Sequence, residues 1–283
     1  MIEKNISLKV QNNHRYIRLR LCCPNNSLND QRQLIIIATG LYSHMDKESQ
    51  IKLAESYQKA GFSTLQFNFM GHGGGHNKSD GKLKDITLSS SLEDLKAVWD
   101  YSQELSGKVN INNTVITANS YGALISLMAL ERKFISPESM ILVAPYSFDK
   151  FKPWVLPIKL ISKLLPEKTT NLLRLPVSST MVKDFLKYHT HAVAKKDLLG
   201  STAVHFFVGS DDKISSQKNI KKWCKVFNKQ TPSNIPFIDN KQAHYTVYEG
   251  VSHFDIPQSV QQDINQKAIS FITKTKKIRS HDL

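Results

Sequence analysis

The sequence predicts an α/β protein with a mostly parallel central sheet, helices on both faces and a helical cap inserted late in the chain. Three observations predict it. Short apolar, β-branched runs alternate with amphipathic stretches along most of the 283 residues. One of these runs, Thr114 to Asn119, passes through Ser120 straight into a strongly apolar helical pattern. Residues 146–202 then break the alternation with Pro153, Pro157, Pro166 and Pro176 and with runs such as VLPIKLISKLLP.

The elements follow in order. Residues 6–10 and 16–23 read as a hairpin across the polar turn Gln11-Asn12-Asn13-His14. Residues 34–38, LIIIA, suit a buried central strand. Residues 47–61 have helical spacing and stop at Gly61. A strand over 63–69 leads into the glycine-rich loop GHGGGHNKSDGK, and an amphipathic helix over 91–107 follows. Strands are predicted at 114–119, 139–145, 203–209 and 243–250, and helices at 215–229 and 258–274. The core is therefore 1–145 with 203–283, and 146–202 is the cap, placed above the carboxyl ends of the strands where sites form in such sheets.

Composition excludes several classes. The net charge is +14, yet there is no zinc-finger spacing, aromatic RNA-binding signature or long basic tract, so a nucleic-acid role is disfavoured. No apolar run reaches the length of a membrane span, and MIEKNISLKVQNNH lacks the apolar core of a secretory signal. The three cysteines, Cys22, Cys23 and Cys224, form no disulfide framework and read as packing residues. A cytoplasmic location is expected. The lysine-interrupted apolar segment 151–165 reads as an ordinary cap helix, or as an interfacial helix contacting anionic membrane.

Chemistry centres on Ala118-Asn119-Ser120-Tyr121-Gly122. Small residues flank a serine between strand and helix, as in G-x-S-x-G with alanine in the first glycine position. Ser120 reads as a nucleophile or simply as a helix N-cap. A serine hydroxyl needs a base, and the base needs a carboxylate to fix its tautomer. Later in the chain, an apolar strand runs into Gly209-Ser-Asp-Asp212-Lys-Ile214, and another runs into Gly250-Val-Ser-His253. The order Ser, Asp, His suits an acyl-transfer triad. Asp211 and Asp149 are rival carboxylates. His72 with His76, and His189 with His191, lack a third ligand at metal spacing and read as loop residues; His205 and His244 read as packing or surface histidines.

With these motifs the chain resembles the α/β-hydrolase superfamily, and within it the bacterial feruloyl-esterase and serine-aminopeptidase-like (hydrolase-4 type) serine hydrolases. IIIATG resembles the family's strand and His-Gly motif, with Thr39 where histidine is usual. STLQFNFMGHGGGHNKSDGK resembles its Gly-His-Gly and Ser-Asp-Gly-Lys loop. A weaker likeness joins ATG, MDK and LAESYQKAGF to acyl-carrier thioesterases of the luminescence type. The resemblance implies Ser120 as nucleophile, His253 as base and Asp212 as the acid, favoured by its place three residues after Gly209 and by Ile214. It implies an oxyanion hole from the backbone N–H groups of Leu41 and Tyr121. His72-Gly73-Gly74-Gly75 matches another oxyanion motif, but only one helix separates it from the nucleophile strand; it reads as a flexible loop near the entrance. The expected function is hydrolysis of a carboxylic ester or thioester with an apolar acyl group, the partner being a small acyl substrate, with no cofactor and no metal. Alternatives are a peptidase or amidase of the aminopeptidase-like branch, or a non-catalytic binding protein on the same fold.

Overall fold

A computed structural model describes residues 2–10, 14–24, 33–105, 114–146, 170–172, 175–177, 180–181, 184, 200–229, 231 and 235–280. Among the described residues the main sheet has eight strands: β1 Ile2–Val10, β2 Arg15–Cys23, β3 Leu34–Ala38, β4 Ser63–Asn68, β5 Val115–Asn119, β6 Ser139–Val143, β9 Ala203–Gly209 and β10 Ala243–Tyr248. Their order is β1-β2-β4-β3-β5-β6-β9-β10. β1 and β2 pair antiparallel, as do β2 and β4, and the six strands from β4 to β10 run parallel. Fully apolar strands such as LIIIA have no solvent face, and β3 is accordingly buried at all five residues. A separate two-stranded sheet, β7 Thr170–Leu172 and β8 Leu175–Val177, lies in the chain between β6 and β9.

Helices cover both faces. Helix α2 (Leu88–Glu104), α3 (Tyr121–Glu131) and α4 (Gln217–Asn228) share one apolar cluster with Ile36, Phe67 and Phe206. Helix α1 (Glu48–Lys59) and α5 (Gln258–Ser280) share the opposite cluster with Ile37 and Phe207. The strands and helices predicted for the core all occur among the described residues, with shifted ends. α2 begins three residues earlier than expected, because Thr87 and Ser90 form a reciprocal capping box. Helix α5 runs to Ser280 rather than 274. Cys22, Cys23 and Cys224 are buried and unpaired, and burial pushes the Cys22 thiol up to about 11. Among the described residues, no helix is long and apolar enough to cross a membrane. The cap segment 151–165 lies outside the described residues.

Candidate active site

The parallel strands end on one rim, and the predicted site residues meet there. β5 hands over to α3 with no intervening loop, so Ser120 must turn the chain sharply. Its backbone has φ 49° and ψ −111°, a region that costs a non-glycine residue about 1–3 kcal/mol. The turn is held on both sides: the Ser120 N–H donates to the Val143 carbonyl at 2.9 Å, and the Ser120 carbonyl accepts from Tyr146 N–H at 3.2 Å. A methyl group on Gly122 would press on the carbonyl oxygens of Ala38 and Thr39, so the helix start lies directly on the end of β3. The Ser120 side chain makes no capping bond to α3. Its Oγ lies 2.8 Å from His253 Nε2 instead.

His253 and Asp212 arrive on two turns packed together. The Asp211 N–H donates to the Val251 carbonyl at 3.1 Å, and the Gly250 N–H donates to Ser210 Oγ at 2.9 Å. A Cβ on Gly209 would collide with Val251, so only glycine allows this approach. His253 Nδ1 lies 2.7 Å from Asp212 Oδ2. The other carboxylate oxygen accepts the N–H groups of Ile214 at 2.8 Å and Ser215 at 2.6 Å. A carboxylate only accepts, so Nδ1 carries hydrogen and Nε2 faces the Ser120 hydroxyl as acceptor. Asp211 is exposed and receives the Ser210 hydroxyl at 3.0 Å; it does not meet His253. Asp149 lies outside the described residues.

The turn after β3, expected to carry one oxyanion donor, lies beside Ser120. A Cβ on Gly40 would sit 3.6 Å from Ser120 Cβ, so this turn abuts the Ser120 turn. Gly40 N–H donates to Asn119 Oδ1 at 3.1 Å, Tyr42 N–H to His72 Nε2 at 3.2 Å, and Met45 N–H to Asn68 Oδ1 at 2.8 Å. Between the first two, the Leu41 N–H has no acceptor among the described residues. Tyr121 opens α3, so its N–H is one of the donors a helix leaves unused. The Tyr121 side chain is buried; its hydroxyl donates to the Thr87 carbonyl at 3.2 Å and lies 2.9 Å from Ser91 Oγ. Thr39, in place of the usual histidine, is buried with its hydroxyl 3.4 Å from the Ser43 carbonyl.

Two expectations change. The GHGGG stretch, expected as a flexible loop, is anchored: Gly71 N–H donates to Asp80 O at 3.0 Å and Ser79 N–H to His72 O at 2.9 Å. His72, expected as a loop residue, lies in that loop but is 3% exposed, and its ring accepts the Tyr42 N–H of the turn after β3. It acts through its ring on that turn, since its own N–H is committed to Phe69 O. The physical reason is sheet order: β3 lies between β4 and β5, so the loop after β4 is one strand away from Ser120. His76 is exposed, and His189 and His191 lie outside the described residues. Among the described residues no cluster of three or more metal-ligating side chains occurs. His205 and His244 pack with Phe271 of α5. Sequence reasoning missed Asn68, Asn119 and the role of His72. The available signal was an amide at the last position of two buried strands.

The family model of the serine aminopeptidases, S33, matches residues 29–208. The chain belongs to this family. It is thus a serine hydrolase of the α/β-hydrolase fold. No curated protein matches the sequence. Among solved structures, Est1E from Butyrivibrio proteoclasticus with ferulic acid bound is similar at TM-score 0.69 and 17% identity, over 95% of this chain and 99% of that one. A monoacylglycerol lipase from Paleococcus ferrophilus is similar at TM-score 0.63 and 15% identity, over 92% and 99%. The esterase Pf2001 from Pyrococcus furiosus is similar at TM-score 0.64 and 18% identity, over 96% and 92%. At these identities the likeness concerns the fold.

Proposed function

We propose that this protein hydrolyses carboxylic esters or thioesters with an apolar acyl group. The observation that carries the reading is the continuous chain from Ser120 Oγ through both ring nitrogens of His253 to Asp212. Ser120 Oγ attacks the acyl carbonyl as its proton passes to His253 Nε2. Asp212 holds the ring in the productive tautomer and stabilises the imidazolium. The N–H groups of Leu41 and Tyr121 receive the charge that develops on the carbonyl oxygen. His253 then protonates the leaving alcohol or thiol, and water, activated by the same ring, releases the acid.

An apolar acyl group is supported by Phe254, which is 77% exposed and meets the His253 ring edge-on at 5.0 Å. The structural neighbours named as esterase and lipase support an ester bond. Residues 146–202 are proposed as a cap over this rim. In support, Met181 is buried in the core cluster and Asp184 accepts the Ser89 N–H at 2.8 Å at the start of α2. A second reading, amide hydrolysis at a free amino terminus, is favoured by Asp211, Glu249 and Asp255, all exposed on the two turns that carry Asp212 and His253. Fluorophosphonate labelling, then kcat/KM for a p-nitrophenyl ester series of rising chain length, a matched thioester and an aminoacyl anilide, tests the reading. Labelling with ester or thioester turnover rising with acyl length is expected. No labelling overturns the serine mechanism, and faster anilide turnover overturns the ester assignment in favour of the second reading.

A further inference from the structure

The turn that abuts Ser120 is gripped by two side chains that accept N–H groups of its backbone. Asn119 Oδ1 takes the Gly40 N–H at 3.1 Å and His72 Nε2 takes the Tyr42 N–H at 3.2 Å. The N–H between them, that of Leu41, is left for another acceptor. The turn needs holding: Tyr42 sits at φ 62°, a conformation a bulky side chain adopts only under constraint. We propose that His72 and Asn119 are positioning residues, a two-sided clamp that fixes the Leu41 peptide as one wall of the oxyanion hole. This rests on the active-site reading above.

The clamp is itself rigidly mounted. His72 Nδ1 donates to the Met70 carbonyl at 3.0 Å, so Nε2 is the bare acceptor nitrogen. The Met70 N–H donates to Asp94 Oδ2 at 2.8 Å, and Arg15 holds the other oxygen of that carboxylate at 2.5 Å. Phe69 meets the imidazole edge-on at 6.2 Å. Gly71 and Gly73 flank it at φ 72° and 94°, and a Cβ on Gly71 would lie 2.6 Å from Leu83 N. The ring must stay neutral, because a protonated Nε2 would set one donor against another. Burial holds its protonation below the ordinary histidine range, and His44 and Lys47, facing it from the turn after β3, act in the same direction.

The paired variants H72F and H72Q test the clamp. Phenylalanine keeps the ring volume and removes the acceptor; glutamine returns an amide oxygen near the position of Nε2. H72F should lower kcat about 10- to 100-fold, less than loss of a whole oxyanion donor, with KM within about two-fold, and H72Q should recover most of it. Amide hydrogen exchange at Leu41 and Tyr42 should accelerate in H72F and return in H72Q; this readout needs no turnover. N119A should lower kcat similarly, less than additively with H72F, and carries the test if H72F does not fold. Wild-type kcat and exchange in H72F, or equal losses in H72F and H72Q that follow melting temperature, would overturn the clamp. Inactivity of the wild-type enzyme toward every acyl substrate would overturn the active-site reading instead, and exchange would still report on the clamp.

Discussion

His253 and His72 are both buried imidazoles near strand ends, and each is bonded at both ring nitrogens. His253 has the Asp212 carboxylate behind Nδ1 and a hydroxyl in front of Nε2. His72 has a peptide carbonyl behind Nδ1 and a backbone N–H in front of Nε2. A carboxylate stabilises the ring when it gains a proton; a carbonyl opposite a fixed N–H does not. The hydroxyl can surrender its proton to Nε2, whereas the amide of Tyr42 keeps its own. One ring is therefore built to change charge and the other to remain neutral. Residue type and hydrogen-bond count are alike, so in the proposed mechanism it is the partners that separate a proton carrier from a strut.

The largest expected effect comes from breaking the reactive half. Ser120→Ala should lower esterase kcat/KM by about 10⁶-fold and abolish fluorophosphonate labelling. Melting temperature should not fall, because Ser120 makes no cap bond to α3. Near-wild-type turnover in this variant would show that the two histidines do not differ as argued.

Next in size is the carboxylate that makes the difference. Asp212→Asn should lower kcat by about 10⁴-fold, since an amide behind Nδ1 favours the unproductive tautomer. Asp211→Asn should stay within about two-fold, as Asp211 is exposed and bonded to Ser210. Rate measurements on the pair test a one-residue assignment, and comparable losses would undo it.

Gly122→Ala should act on stability as well as rate. The added methyl presses on the carbonyls of Ala38 and Thr39 and separates β3 from the elbow. Overpacking of this kind costs about 1–3 kcal/mol, readable from the urea midpoint at constant slope. Activity should fall with it, because the same displacement moves Gly40 from Ser120. A stable, fully active variant would show that the oxyanion turn tolerates more room than its contacts imply.

The smallest effect sharpens the comparison with a third buried ring. His205 is stacked on Phe207 at 4.3 Å, with Nε2 2.9 Å from Thr246 Oγ1. Burial, with His244 and Lys267 nearby, pushes it down to about 3. The folded state thus favours the neutral ring. The stability this contributes is present above the ordinary histidine value of 6.5 and is lost as pH falls from there towards 3. Between pH 7 and 5 the loss should be about 1–2 kcal/mol. His205→Phe should remove that portion of the acid sensitivity in urea titrations while leaving kcat near wild type. An unchanged pH dependence would mean that the ring is solvated when protonated.

Much of this architecture is written in short-range patterns. LIIIA, TVITAN and AVHFFVG declare strands because β-branched apolar residues suit a doubly covered sheet. Gly122 declares the elbow because a strand cannot turn into a helix there around a larger residue. The order Ser120, Asp212, His253 followed from strands ending in turns that carry the right groups. These features depend on residues a few positions apart, so local sterics and hydrophobic periodicity fix them. The tertiary structure alone decided which groups bond across 133 positions, from Ser120 to His253, across 30, from Tyr42 to His72, and across 79, from Gly40 to Asn119. It set β3 between β4 and β5, which placed the Gly40 turn against Ser120 and within reach of the Asn119 and His72 side chains. It also chose Asp212 over Asp211 by burying one and exposing the other. Sheet order and burial belong to the assembled layers. No local pattern around Asn119 or His72 encodes them, so those residues became legible only when the strands stood side by side.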